Sequence, residues 1–120
     1  MVYFAHSIVL GLVKIGHSAN PGKRVRHLAV ESGFRANLLL VIPGGRKRER
    51  EIHKRFAVHA VGNEWFEPEG SLAEYLSKMG VGHILVGTVD RRLVGQMKRR
   101  YTMRLKKYRE RYQLACGRQR

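Results

Sequence analysis

Apolar and polar positions along this chain switch several times between the period of a strand and that of a helix. Val2 to Leu10 is rich in aliphatic and aromatic residues, Gly11 punctuates it, and Leu12-Val13-Lys14-Ile15-Gly16 follows, which predicts two strands joined by a tight turn. Asn20-Pro21 then opens a helix: Asn caps it, and Pro takes the first helical position, where its missing N–H costs nothing. Val25, Leu28 and Ala29 recur at helical spacing and Gly33 ends the element. Leu38 to Ile42 is an uninterrupted apolar run, expected as a strand buried on both faces and stopped by Pro43-Gly44-Gly45. From Arg46 the pattern is helical again, with Ile52 and Phe56 as its apolar stripe. Trp65-Phe66 follows a Gly62-Asn63 turn signal and is expected to anchor against the sheet. Ser71 and Glu74 have capping-box spacing at the head of a short helix ending near Met79, and His83 to Val86 fits either a strand or a loop. Asp90 caps a last helix whose apolar positions Val94, Met97, Tyr101, Leu105, Tyr108 and Tyr112 step by 3, 4, 4, 3 and 4.

These elements predict an α+β fold: a small three-stranded, mainly antiparallel sheet flanked by helices in the order β-β-α-β-α, with a long basic C-terminal helix. The break at Gly80-Val81-Gly82 divides a body, residues 1–79, from a helical extension, residues 80–120. A length of 120 residues suits one core. One cysteine, Cys116, excludes an intrachain disulfide and a cysteine-built zinc site. Met1-Val2-Tyr3-Phe4 has no basic residue before its apolar stretch, and the longest apolar runs fall far short of the ~20 residues of a membrane span. The expectation is a soluble, intracellular, cytoplasmic protein.

Charge changes the picture. The chain carries 24 Lys and Arg against 9 Asp and Glu, a net +15, which makes a polyanion the expected partner. Residues 91–120 hold 12 basic residues and one acid, Glu110, whereas Glu64, Glu67, Glu69 and Glu74 lie in a stretch without Lys or Arg. Lys23, Arg24 and Arg26 form a second knot, and residues 46–55 a third with six basic residues and two acids. The expected phosphate contacts are Lys23, Arg26, Arg46, Lys47, Arg48, Lys98, Arg99, Arg100, Arg104 and Lys107. No base-reading motif is visible, so DNA affinity is expected to be dominated by the backbone.

Four residue types stand at informative distances. Tyr3 lies on the first strand and Lys14 on the second, eleven residues on; Arg24 is in the first turns of the first helix; Glu49 opens the second helix, with His53 at i+4. Such a set suits metal-assisted phosphodiester hydrolysis. A phenol or amine handles the proton of an attacking water, a guanidinium meets the developing charge, and a carboxylate holds a divalent ion. The strings Val2-Tyr3-Phe4, Val13-Lys14-Ile15-Gly16-His17-Ser18, Asn20-Pro21-Gly22-Lys23-Arg24, Glu49 with His53 and Phe56, and Glu64-Trp65-Phe66 together resemble the GIY-YIG nuclease superfamily over residues 1–75. More narrowly they are similar to its phage-type DNA-binding, or meiotically up-regulated, subgroup. The resemblance implies that Tyr3 is the first motif tyrosine and that Lys14 replaces the second, as in some restriction enzymes of the superfamily. It further implies that His17 lies near the phosphate, that Arg24 is the family arginine, that Glu49 carries a single magnesium or other divalent ion, and that Asn63 is the counterpart of a late asparagine.

Each residue also has a plain structural reading. Tyr3 suits a strand aromatic, Lys14 a snorkelling lysine and Glu49 a favourable charge in a first helical turn. His53 reads as a packing or hydrogen-bonding residue at the helix–sheet junction, since one Glu and one His make no zinc site. Lys23 and Arg24 oppose the helix dipole, which points to a bound anion. The basic last helix suits a phosphate-tracking face, an amphipath on an anionic membrane or a homodimer seam; nucleic acid fits the charge of the whole chain best, with no membrane partner. The resulting expectation is a DNA endonuclease using one divalent ion, with a catalytically weak or inactive DNA-binding module of the same fold as the alternative.

Overall fold

Short-range signals and the sheet combine in the computed structural model, which describes residues 1–82 and 89–117, with side chains as far as Arg111. In chain order the elements are β1 (Val2–Ser7), β2 (Leu12–His17), α1 (Pro21–Ser32), β3 (Asn37–Ile42), α2 (Arg46–Arg55), a 3-10 turn (Ala57–His59), β4 (Ala60–Gly62), β5 (Trp65–Phe66), α3 (Gly70–Lys78) and α4 (Arg91–Gly117). The sheet has five antiparallel strands in the order β3-β1-β2-β5-β4, against the three expected. The extra pair is a short hairpin that closes on Asn63 and Glu64, both at positive φ (55° and 68°) as a tight hairpin turn demands. Strands of two and three residues carry too little pattern to be read along the chain.

The sheet separates two layers. Val2, Phe4, Val13, Ile15 and Ile42 pack under α2 and α3 on Ile52, Phe56, Leu72 and Leu76. On the other face Tyr3 and Ala5 meet Val25 and Leu28 of α1, while Leu10, Leu12 and Trp65 meet Val94 and Met97 of α4. Both faces of β1 and β2 are therefore covered. The strand buried on both sides is not the apolar run Leu38–Ile42: β3 is an edge strand, with Leu38 43% and Val41 37% exposed. Continuous apolarity did not place it centrally, because the pairing order and not hydropathy decides which strand is inside.

The caps follow the sequence in three cases and depart from it in one. The Asn20 side chain accepts from the Lys23 amide, Gly33 closes α1 at φ 86°, and Asp90 Oδ1 accepts from the Arg92 and Leu93 amides at 3.1 and 3.2 Å. Helix α3, however, starts at Gly70 from Glu69 without a side-chain cap, so Ser71 lies inside the first turn and not at its head, and its Oγ meets His59 Nε2 at 3.0 Å. The expected stripe of α4 also divides: Val94 and Met97 are buried, Tyr101 is half-buried, and Leu105 and Tyr108 are exposed where the helix runs past the body. Tyr112 and the segment His83 to Val86 lie outside the described residues. No described helix is long and apolar enough to cross a membrane.

Candidate functional site

Topology brings the starts of α1 and α2 to one end of the sheet, with Tyr3, Lys14 and Arg24 on one face and Glu49 with His17 on the other. Val2 pairs with His17 on one side and Ile42 on the other, so β2 and β3 both finish there, and α1 and α2 begin within a few residues of those ends. Two helix N-termini thus face the same region; the dipoles of both, and the first amides of α2, which no side chain caps, favour an anion. Lys23 and Arg26 in the first turns of α1, and Arg46, Lys47 and Arg48 in the first turn of α2, are exposed around it. An open groove of about 600 Å³, lined by Ser18, Asn20, Lys23, Arg26 and His27, leads to Arg24.

Tyr3 is 1% exposed and its ring lies across Gly16 on the neighbouring strand. A Cβ at Gly16 would stand 2.5 Å from the Tyr3 hydroxyl, so only glycine allows this contact. Burial pushes the Tyr3 phenol up to about 12, moderated by Arg24 and reinforced by Glu64, Glu31 and Glu49. Tyr3 is accordingly a protonated donor at neutral pH, within the field of both Arg24 and Glu49.

Lys14 is not a snorkelling lysine. It is 2% exposed, its Nζ donates to the Asn63 carbonyl at 2.6 Å, and it pairs with the Glu64 carboxylate at 3.4 Å. The rings of Trp65 and Tyr101 lie 5.8 and 5.4 Å from the same nitrogen. Burial pulls the amine below its ordinary value, and the field of Glu64 opposes that. The tight β4–β5 turn therefore supplies two acceptors to Lys14, one from its backbone and one from a side chain held at positive φ. A non-glycine residue in that conformation costs on the order of 1 kcal/mol.

Arg24 donates to Glu31 at 2.6 Å, two turns along α1. Burial raises the Glu31 carboxyl, yet the hydrogen bond and charge of Arg24, with Lys14 and Tyr101 beyond, hold it below its usual range. On the opposite layer Glu49 is 6% exposed and its carboxylate is hydrogen-bonded to His17 Nδ1, while His53 Nε2 stands 4.0 Å from its other oxygen. His53 Nε2 also donates to the Ile15 carbonyl at 2.8 Å and its ring packs on Phe66 at 5.1 Å, the packing and hydrogen-bonding role its position predicts.

No three His, Cys, Asp or Glu side chains form a ligand cluster among the described residues. The Glu49 carboxylate is the oxygen donor here that could hold a hard divalent ion, which would keep most of its water and take further oxygens from a phosphate; His53 Nε2 is spent as a donor on the Ile15 carbonyl, and the set does not suit a closed zinc site.

Glu31, Glu64 and Tyr101 belong to this constellation and were not singled out in the sequence. For Glu64 the signals were the Gly62-Asn63 turn and its place in the string Glu64-Trp65-Phe66, neither of which gave it a role. Nothing local marks Tyr101, which reaches Lys14 from α4. Of the basic residues expected to meet phosphate, Lys98, Arg99 and Lys107 are exposed along α4. Arg100 and Arg104 instead donate to the Val30 carbonyl near the end of α1, at 2.7 and 3.4 Å, where a cation also complements the helix dipole. No curated protein and no solved structure matches the chain. The T5orf172 domain matches residues 1–80, which take in both strands of the Tyr3–Lys14 pair, Arg24, Glu49 and the β4–β5 turn, and the chain thus belongs to the T5orf172 family, a GIY-YIG-like domain associated with nucleases.

Proposed function

We propose that this protein is a DNA endonuclease of the GIY-YIG type that hydrolyses a phosphodiester bond with one divalent ion, most simply magnesium. The observation that supports the reading is that a buried phenol, a buried amine and a guanidinium share one face of the sheet, while the buried Glu49 carboxylate lies on the other layer near the end where α1 and α2 begin, close enough to act on the Tyr3 phenol. Burial disfavours both the phenolate of Tyr3 and the ammonium of Lys14. Tyr3 therefore orients the attacking water as a donor, and Lys14 is the group that accepts its proton. Arg24 turns from Glu31 to the phosphate and meets the charge that develops on it. Glu49 would hold the ion, which supplies charge neutralisation and a more acidic water. His17 leaves Glu49 to assist proton movement at the leaving oxygen. Within the superfamily we place the chain with the phage-type DNA-binding, or meiotically up-regulated, subgroup, acting in the cytoplasm, with residues 1–79 as the body and 80–120 as the basic extension.

The second reading, a DNA-binding module with weak or no cleavage, is favoured by a specific observation: Arg24 and Glu49 are each already paired, with Glu31 and His17. Supercoiled plasmid incubated with magnesium decides between them. Nicking by the parent that Glu49→Ala abolishes, with duplex binding retained, is the expected result. Intact plasmid in the presence of binding overturns the nuclease reading and leaves the module.

A further inference from the structure

Helix α4 begins beyond the residues matched by the T5orf172 domain, yet it is fastened to the face of the sheet that carries Lys14. Val94 and Met97 cover Leu10, Leu12 and Trp65, and the Asp90 amide donates to the Leu10 carbonyl at 3.4 Å. Arg100 ties the helix to the end of α1 through the Val30 carbonyl. Between these two fastenings Tyr101 points inward. Trp65 Nε1 donates to its hydroxyl at 3.2 Å, and its ring stands 5.4 Å from Lys14 Nζ. Among the described residues, the charged and titratable groups that face Lys14 are Arg24 and Glu31 from α1, Glu64 from the β4–β5 turn and Tyr101 from α4, with Tyr3 of β1 on the same face of the sheet.

We infer that α4 forms a wall of the site and that Tyr101 is a positioning residue for Lys14, its ring screening the amine from bulk water on the α4 side while its hydroxyl is pinned by Trp65. The inference rests on the proposed role of Lys14 for its catalytic meaning, though not for its geometry. A Lys ammonium at 5.4 and 5.8 Å from two ring centroids lies near the outer limit of a cation–π contact. The rings act on Lys14 mainly by excluding water, and exclusion of water favours the neutral amine. The same helix carries exposed Lys98, Arg99 and Lys107, so a polyanion held along α4 is held by the element that shapes the Lys14 environment.

The test follows the Lys14 side chain by NMR across an alkaline titration of the full-length protein, in the parent and in Tyr101→Leu and Tyr101→Phe. In the parent the Lys14 side chain titrates below the ordinary lysine value of 10.5. Tyr101→Leu admits water, and its titration moves up toward 10.5; Tyr101→Phe keeps the ring, and it stays depressed. A Lys14 titration that is the same in the leucine variant and the parent overturns the inference. Should the leucine variant not fold, the phenylalanine variant decides. Trp65 is the only tryptophan, so its single indole N–H signal must shift when the hydroxyl acceptor is lost, and an unmoved signal overturns the inference.

Cleavage separates this inference from the nuclease reading. If the parent does not nick plasmid while Lys14 responds as stated, the reaction is wrong and the wall stands. If it nicks, the rising limb of the pH–rate profile of Tyr101→Leu must move to higher pH with the Lys14 titration, which general loosening of the fold would not produce.

Discussion

Tyr3 and Lys14 are both buried and both ionisable, and burial acts on them in opposite senses. It holds the proton on the phenol and favours the neutral form of the amine, so burial on one face of the sheet pushes a donor and an acceptor in opposite directions. The Tyr101 hydroxyl is also raised to about 12, by burial first and by Glu31, with Trp65 opposing. A phenol near 10.0 unfolded and about 12 folded holds its proton in the native state over that interval and loses it in the unfolded chain. The stabilisation is therefore full below pH 10 and is lost as the pH rises toward 12. Phenolate absorbance should show two of the five tyrosines ionising late, and Tyr3→Phe or Tyr101→Phe should each remove one late step. A single step for all five near 10 in the folded protein would contradict this. Tyr3, Lys14, Arg24 and Glu49 could be singled out from their spacing together with the family resemblance, because they sit in or beside elements with strong local signals. Their partners Glu31, Glu64 and Tyr101 could not, because a partner is defined by contact across the fold.

At the scale of elements, what was local was readable. Asn20, Gly33 and Asp90 act within a turn of their own helices, so their sequence neighbours already specify the geometry. Asp90→Ala should lower stability by about 1 kcal/mol, seen as a lower denaturant midpoint at unchanged slope. An unchanged midpoint would mean that α4 is held by packing alone. The β4–β5 hairpin and the exposed position of β3 escaped the sequence for one reason: each is fixed by its neighbour in the sheet. The Ser71 cap failed because α3 begins at Gly70, so the serine stands inside the first turn, where His59 meets its hydroxyl.

For the whole molecule, the net charge of +15 resolves into groups with different work. Some cations surround the two helix starts, some line the outer face of α4, and Arg100 and Arg104 fasten α4 to α1. If six or more phosphates are contacted, the logarithm of duplex affinity should fall with the logarithm of salt with a slope of about −5 or steeper. Lys107→Gln should reduce that slope by about one, whereas Arg100→Gln should chiefly lower the melting temperature. A slope near −1 would mean that the charge is not spent on DNA backbone.

The sequence by itself determined the caps of α1 and α4, the two central strands, the strongly positive charge and the spacing of Tyr3, Lys14, Arg24 and Glu49, because these depend on neighbours within a few turns of chain. Only the tertiary structure decided which strand lies at the edge, which arginines are free, and that Lys14 is enclosed by a turn and a helix remote in sequence. Burial is a property of the packed molecule: the lysine that the chain alone would place in water loses it only when Trp65 and Tyr101 close over it.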